Sequence, residues 1–589
     1  MLDARFDDLT GASASFRLTG PVGVLEATRV GEVVPTLEAA EAAAGRGLWV
    51  AGFVAYEAAP GLDPVLAVRP RAPEDPFSAL PLASFAMFER SEETTLPLPP
   101  SDVRPDAPDG AWVPTISRAR FEDSVRRIHE LIAAGETYQV NHTMRLRSRI
   151  EGDPRGLYRD LCYAQRGRYG GYLDLGRYRI LSSSPELFFE LRDGRIVTRP
   201  MKGTAPRGRW PAEDVALAEA LVASGKDRAE NAMIVDLLRS DLGRISRPGS
   251  VGWADAFEAE RYETVWQLTT TVSAELEVGV GLPGVFRGLF PSGSVTGAPK
   301  VRTMELIRDL EESPRGVYCG AVGYLAPAGS GRPDALFNVA IRTVIVDTAS
   351  GTAEYGVGGG ITWDSRADAE YEETVAKARV LSARRPSFEL FETMRREPGR
   401  DVTHLDRHLE RIRASAEYFG FRFERSDALE AIAKAVASAP DRPCRVRLSL
   451  ARNGSSEADC VSLPADSGPV RVSMDDVEQD PGDVFLFHKT TRRRRYEDAL
   501  ERHPEADDVL LINDRGEVTE STIANVAVKL DGRWWTPPIG SGLLPGIGRA
   551  VALEEGRLDE RAVTIDEVRS AEELALVSDV RGWRGADLV

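Results

Sequence analysis

Lysine is scarce in this chain. Of 74 basic residues only seven are lysine, at positions 202, 226, 300, 377, 434, 489 and 529, and the first 201 residues contain none. Arginine stays charged, whereas an amine can lose its proton and act as nucleophile, base or Schiff-base former. Each lysine is therefore a candidate for chemistry that a guanidinium cannot perform. Lys202 lies in TRPMKGTAPRG (198–208), sixteen residues after Glu186 in SSSPELFFE (182–190). Pro200 and Gly203 predict a turn that displays the amine, and an acid and an amine on neighbouring strands suit a general acid and a nucleophile. A surface glutamate and a turn lysine account for these residues equally well.

Three further segments of the first half carry polar groups at useful spacing. KDRAENAMIVDLLRSDLGR (226–244) reads as a helix whose apolar stripe is Met233, Ile234, Leu237 and Leu238. Glu230 lies off that stripe, where a solvated face is the ordinary reading. LFPSGSVTGAPKVRTMELI (289–307) places Ser294, Thr296 and glycine amides ahead of a helix start, an arrangement open to a carboxylate or phosphate. YGVGGGITWDSRADAEYEETVAKA (355–378) runs a strand through Gly358, Gly359 and Gly360 into a helix. On that helix Glu370, Glu373 and Lys377 share a face, a spacing open to Mg²⁺, although a surface salt bridge is its ordinary reading.

In the last third, Lys489 follows DVFLFH, predicted as an apolar strand, and precedes Arg492–Arg495. DDVLLINDRGEVTESTIANVAV (507–528) predicts a hairpin with an Asn-Asp-Arg-Gly turn leading to Glu520, a carboxylate that could keep a pyridine nitrogen protonated. SGLLPGIGRAVAL (541–553) puts Gly546, Ile547 and Gly548 at a helix start suited to a phosphate. Taken singly, a strand-end lysine, a hairpin glutamate and loop glycines explain these features better.

These groups need a large scaffold. At roughly 100–200 residues per domain, 589 residues imply three or four lobes. A net charge of −18 disfavours nucleic acid and anionic membranes as partners, and an anionic substrate would need a local positive pocket. Cys162, Cys319, Cys444 and Cys460 have no paired spacing. The sequence MLDARFDDLTG lacks a signal-peptide pattern, and no run reaches a membrane span, so a cytoplasmic location is expected. A Pro/Asp-rich loop occupies 91–115. From Ser117, a suitable N-cap, a helix with Phe121, Val125 and Ile128 on one face runs toward a stop at Gly135. Helical patterns follow near 211–245, 298–310 and 366–383, with strand-like RYRILSSS and FNVAIRTVIVD between them. The chain restarts after 384–387 with a strand (FELFETMR), an amphipathic helix (HLDRHLERIRASAEYFGF) and hairpins, predicting domains at 1–383 and 387–589.

In order, the first-half motifs PELF, PMKGTAPRG, ENAMIVDLLRSDLGR, PSGSVTGAPK, PRGVYCGAVGY, NVAIRT, GVGGGI and EYEETVAKA resemble the chorismate-utilising enzymes over about 40–380. The lysine of PMKGT resembles the aminodeoxychorismate synthases, where anthranilate synthases carry alanine. The resemblance implies that Lys202 adds to C2 of chorismate, Glu186 helps the C4 hydroxyl leave, and ammonia enters at C4. It places Mg²⁺ on Glu230 and Glu373 with Glu370 nearby. Arg342, Tyr324, Lys377 and the amides of Gly358, Gly359 and Gly360 would hold a carboxylate of the substrate, with Ser294, Thr296 and Gln267 also at the substrate. Gln267 stands where many relatives have histidine, and Ser240 replaces an asparagine. No amidotransferase pattern surrounds the six histidines, so a separate glutamine amidotransferase subunit is expected to supply ammonia.

The motifs FETMR, HLERI, HKTTRRRRY, GEVTESTIAN, GLLPGIGR and SDVRGW resemble the fold-type IV pyridoxal-phosphate enzymes over 387–585, and the HKTT wording resembles aminodeoxychorismate lyase. Branched-chain and D-amino-acid transaminases share that skeleton. By resemblance Lys489 bonds pyridoxal 5'-phosphate, Glu520 faces its ring nitrogen, and Arg411, Thr522, Ile547 and Gly548 hold its phosphate, in a unit that forms homodimers. The implied architecture is α/β (α+β): a large chorismate-binding β-sandwich domain flanked by helices, then a two-lobed fold-type IV domain. The implied overall activity is 4-aminobenzoate synthesis from chorismate, with an anthranilate- or isochorismate-type synthase fused to a transaminase as the alternative.

Overall fold

The computed structural model describes residues 2–10, 13–95, 112–381, 387–464 and 468–589. The chain break predicted at 384–387 and most of the Pro/Asp-rich loop lie outside them. The described residues fall into two compact units, one drawn from 1–207 and 218–386, the other from 208–217 and 387–589.

The first unit is an extensive, mainly antiparallel sheet system flanked by helices. Its strands bury side chains on both faces. One core gathers Val50, Phe85, Phe189, Phe286 and Phe337; a second, on the alternate residues, gathers Phe6, Phe16, Trp49, Phe53 and Val322. A third core lies under the helix Arg118–Ala133, whose Phe121, Val125 and Ile128 are fully buried. That helix starts where expected: the Ser117 hydroxyl accepts a hydrogen bond from the Arg120 N–H at 3.3 Å. It ends at Gly135, whose φ of +75° suits a residue without a Cβ.

Two departures from the expected elements bear on the site. Met201–Pro206 is a strand, not a turn; it pairs with Val265–Glu275 through a register shift between Met201 and Thr204. Gly203, at φ +92°, absorbs that bulge. The run FNVAIRTVIVD divides into Ala335–Val339 and Thr343–Asp347, separated where Arg342 adopts φ +51°. The helical pattern at 211–245 also divides, into Pro211–Ala223 and Gly225–Gly243, because the Ser224 hydroxyl caps the second helix.

The second unit has two lobes. One is a three-stranded antiparallel sheet, Leu390–Arg396, Cys444–Leu450 and Ser456–Ser462, packed on the helices Leu405–Phe419 and Arg425–Ala437. The other is an eight-stranded mixed sheet. The expected hairpin is present: Asp508–Asn513 pairs antiparallel with Val518–Ser521, and Gly516 at φ +71° closes its turn. The segment before Lys489 differs from expectation. Val484–Leu486 forms a 3₁₀ turn started by the Asp483 carboxylate, which accepts from the Phe485 N–H. Only Leu390 and Thr490 form an isolated bridge there.

Candidate functional site

In the first unit, the bulged strand aims Lys202 at the glycine strand Thr352–Ile361. A methyl group on Gly360 would lie 3.0 Å from Lys202 Nζ and 2.3 Å from Gln139 Nε2. The glycines are thus a requirement of close approach, set by the pairing of Thr352–Ile361 with Gln139–Arg149. Burial, then the positive charge of Lys377, lowers the basicity of Lys202, while Glu186, Glu230 and Glu373 oppose that shift. Glu186 sits between the strands Tyr178–Ser184 and Leu187–Arg192 with 4% of its surface exposed. Burial pushes its carboxyl up to about 7 against the hydrogen bond of Ser294 and the charge of Lys202. A carboxyl neutral near pH 7 beside a weakened amine is the pairing that acid-assisted departure and nucleophilic attack require.

On the helix Ala367–Ala378, Lys377 Nζ lies 2.7 Å from Glu373 Oε1 and donates to the Gly358 carbonyl at 3.1 Å. Burial works to raise the Glu373 carboxyl, but Lys377 overrides it and leaves it below its ordinary range. Glu370 accepts from the Ser365 hydroxyl at 2.7 Å, and burial raises its carboxyl. Arg342 donates from Nη1 to the Lys377 carbonyl at 3.0 Å. The structure therefore gathers Lys202, Glu186, Ser294, Glu230, Glu370, Glu373, Lys377, Arg342 and the three glycines around one region. Gln267 joins through strand pairing opposite Thr204, whose hydroxyl donates to its Oε1 at 3.3 Å.

Several expected roles are not met by the geometry. Tyr324 points into the second core, its ring 4.9 Å from Phe6 and 5.2 Å from Phe16, because residues alternate faces along Ala321–Leu325. Thr296 is fully buried and its hydroxyl donates to the Ser292 carbonyl at 3.1 Å, so it braces the loop. Glu230, Glu370 and Glu373 do not converge on one point. Among the described residues, the acidic and histidine groups that converge closely enough to share an ion are Asp475, Asp476 and His503, in the other unit. Lys300 is committed to Asp241 at 2.6 Å. Gln139, 2% exposed, was missed by motif reading; only the strand pairing that brings it to Gly360 reveals it.

In the second unit, a cavity of about 530 Å³ is lined by Lys489, Glu520, Arg411, Thr522 and Ile547 among others. Lys489 Nζ lies 5.0 Å from the centre of the Phe391 ring. Burial, then the charge of Arg411, lowers its amine to about 8. Glu520 is 4% exposed; its Oε1 accepts from the Tyr496 hydroxyl at 2.9 Å and its Oε2 from the Leu544 N–H at 3.2 Å. Burial still holds its carboxyl up at about 7, so it would ionise fully only beside a positive partner. The Arg411 guanidinium is clamped on Glu392 by bonds of 2.8 and 2.6 Å, and donates to the Pro545 carbonyl at 3.0 Å. The Thr522 hydroxyl donates to Asp508 at 2.6 Å. Gly546 caps the helix Ile547–Glu554, and Gly548 packs against the backbone of Ser578 and Asp579, where a Cβ would lie 2.6 Å from a carbonyl carbon. Tyr496, the last residue of the HKTTRRRRY motif, is thus a partner of Glu520 that the motif alone does not reveal.

Residues 7–383 match the family model described as chorismate binding enzyme. Residues 389–589 match that of amino-transferase class IV. An aminodeoxychorismate synthase of Streptomyces pristinaespiralis is 42% identical over 301 residues, 50% of this chain and 40% of the relative. An anthranilate synthase component 1 of Aquifex aeolicus is 40% identical over 270 residues, 46% of this chain and 53% of the relative. The chain spans about half the length of these curated relatives. A crystal structure of anthranilate synthase component I from Streptococcus pneumoniae superposes with a TM-score of 0.54 at 26% identity, covering 63% of this chain and 93% of that one. Among the described residues no helix is long and apolar enough to cross a membrane. The chain belongs to the chorismate binding enzyme family, here fused to a domain of the class IV aminotransferase type.

Proposed function

We propose that the chain makes 4-aminobenzoate in two steps, with residues 1–383 forming 4-amino-4-deoxychorismate from chorismate and ammonia and residues 387–589 eliminating pyruvate from it. The observation that carries this reading is the amine of Lys202, set among Glu186, Glu230 and Glu373 and over Gly360. The Lys202 nitrogen bonds to C2 of chorismate as both ring double bonds shift and the C4 hydroxyl leaves as water with the proton of Glu186. Ammonia then bonds at C4, both double bonds shift back, and Lys202 departs from C2. The net change exchanges hydroxyl for amine at C4 and releases water. Similarity to aminodeoxychorismate synthases supports this, and similarity to anthranilate synthases favours amination at C2 as the second reading. The lysine in PMKGT, where the anthranilate synthases carry PIAGT, favours the first reading.

The carboxylates suit Mg²⁺ by donor type, since that ion takes oxygen ligands and keeps waters. Glu230 and Glu373 would hold it against a substrate carboxylate once Glu373 releases Lys377. Ammonia is proposed to come from a glutamine amidotransferase partner. In the second unit, Lys489, the buried Glu520 and the glycine-capped helix fit pyridoxal 5'-phosphate in amine, ring-nitrogen and phosphate partners. That cofactor supplies an electron sink when bound. Lys489 then moves the ring C4 proton, Glu520 holds the proton of the ring nitrogen, and aromatisation drives pyruvate loss. Product analysis with chorismate, an ammonium salt, Mg²⁺ and pyridoxal phosphate tests the reading: 4-aminobenzoate and pyruvate in equal amounts are expected. 2-Aminobenzoate or isochorismate as main product contradicts it.

A further inference from the structure

The three-stranded sheet of the second unit divides its side chains by alternation. Leu390, Met394, Val446, Leu448 and Leu450 point into a core against the helices. Phe391, Thr393, Arg445, Arg447 and Val461, all from the opposite face, line the cavity that holds Lys489. Register sets Thr393 opposite Arg447 and Val461 opposite Arg445. The Arg447 guanidinium lies 4.4 Å from the centre of the Phe391 ring, the ring that Lys489 also approaches at 5.0 Å.

Arg411 and Arg493 of the lining are held by other groups, whereas Arg445 and Arg447, side by side on one sheet face, are tied to no carboxylate. Arg411 is clamped by Glu392, and Arg493 donates to the Thr522 carbonyl at 2.6 Å. Arg445 and Arg447 form no ion pair among the described residues, although Asp459 stands opposite Arg447 in the strand register. The acidic groups of the lining are Glu520 and Asp579, and both are engaged, Glu520 by Tyr496 and Asp579 by His404 and His408. A cavity wall with guanidinium groups tied to no carboxylate and with no free acid suits an anion, and the fork of guanidinium donors matches carboxylate.

We infer that Arg445 and Arg447 form a carboxylate-binding subsite, separate from the phosphate end of the cavity, that selects amine substrates carrying further carboxylates on a ring over purely apolar amines. The identity of the natural substrate rests on the function proposed above; the subsite itself does not. It favours a ring dicarboxylate in the second unit, since a branched-chain amino acid, with a single carboxylate, leaves one guanidinium group without a partner.

The test uses the full chain loaded with pyridoxal phosphate and two probes, isophthalate and benzoate, followed by their displacement of the cofactor absorbance band. Wild type should bind isophthalate at least about tenfold more tightly than benzoate, the difference one charge-assisted contact supplies. Arg445→Met with Arg447→Met should bring the two probes to parity, while Arg447→Lys keeps part of the preference. Should the double variant not load cofactor, Arg445→Met alone, at an exposed position, should reduce the preference. Equal binding of both probes by wild type, or an undiminished preference in the loaded variants, overturns the subsite. If the preference behaves as expected but wild type releases no 4-aminobenzoate from aminodeoxychorismate, the subsite stands and the proposed second step falls.

Discussion

Gly360 and Lys202 are in a relationship that tolerates no side chain: a methyl group on the glycine would sit 3.0 Å from the lysine nitrogen. The same methyl would meet Gln139 Nε2 at 2.3 Å. Gly360→Ala should therefore push both groups out of line while leaving the sheet intact. Misplacement of this kind costs roughly 100-fold in kcat, measured as chorismate consumption with ammonium. An alanine variant within a few-fold of wild type would mean that Lys202 does not work from this position.

Glu186 sets the alkaline limit of the first step. Its carboxyl is held at about 7 by burial, so the proton-donating form is present below that pH and lost above it. Lys202 needs the opposite, its neutral form, which burial and Lys377 favour by lowering its basicity. The pH profile of kcat/KM for chorismate should fall above about pH 7, and Glu186→Gln should cost roughly 10²–10⁴-fold, the usual range for a general acid. A profile still rising at pH 9 would remove Glu186 from that role.

Lys489, at about 8, should take up pyridoxal phosphate through its neutral amine. Reconstitution of cofactor-free protein, followed by the lysine-bound absorbance, should speed up about tenfold from about pH 7 to about pH 9 and then level off. Lys489→Ala should show no such band and should let aminodeoxychorismate accumulate. A persisting band would place the bonding lysine elsewhere.

His408 bridges two carboxylates, Nδ1 2.7 Å from Glu392 and Nε2 3.0 Å from Asp579, behind the Arg411 clamp. Burial opposes its charge, but the bonds to Asp579 and Glu392 raise its pKa overall. Burial likewise opposes ionised Glu392, yet Arg411 and His408 hold that carboxyl down at about 2. The signs follow. The Glu392 contribution is full above about 4.5 and drains as pH falls toward 2. The His408 contribution is full below about 6.5 and drains as pH rises through its raised value. Hydrogen exchange over residues 390–419 should thus be slowest, after correction for intrinsic rates, at mildly acid pH. Glu392→Gln should destabilise this lobe by about 3–5 kcal/mol, as breaking a buried pair does. Flat corrected exchange from pH 4 to 9 would contradict the coupling.

What could be read ahead of the structure was what local chemistry determines. The Ser117 cap, the Gly135 stop, the Asn513–Gly516 turn and the Gly546 cap each depend on a few adjacent residues, and each is present. Most of what differs from those readings is non-local. Lys202 looked like a turn lysine because the bulge that carries it depends on pairing with Val265–Glu275. Tyr324 was assigned to substrate because its motif does not reveal which face of the strand it occupies. The Val484–Leu486 turn reads as a strand in the sequence because an apolar run alone does not separate the two. Gln139, Tyr496 and the chain from Glu392 through His408 to Asp579 join positions far apart in sequence, and no spacing signals them.

The claim that two lysines divide the work is tested most directly by one assay, run on wild type, Lys202→Ala and Lys489→Ala with chorismate, ammonium, Mg²⁺ and pyridoxal phosphate. Wild type should yield 4-aminobenzoate and pyruvate, Lys489→Ala should stop at aminodeoxychorismate, and Lys202→Ala should form neither. Unchanged 4-aminobenzoate from Lys202→Ala, or 2-aminobenzoate as the main product of wild type, would contradict the account.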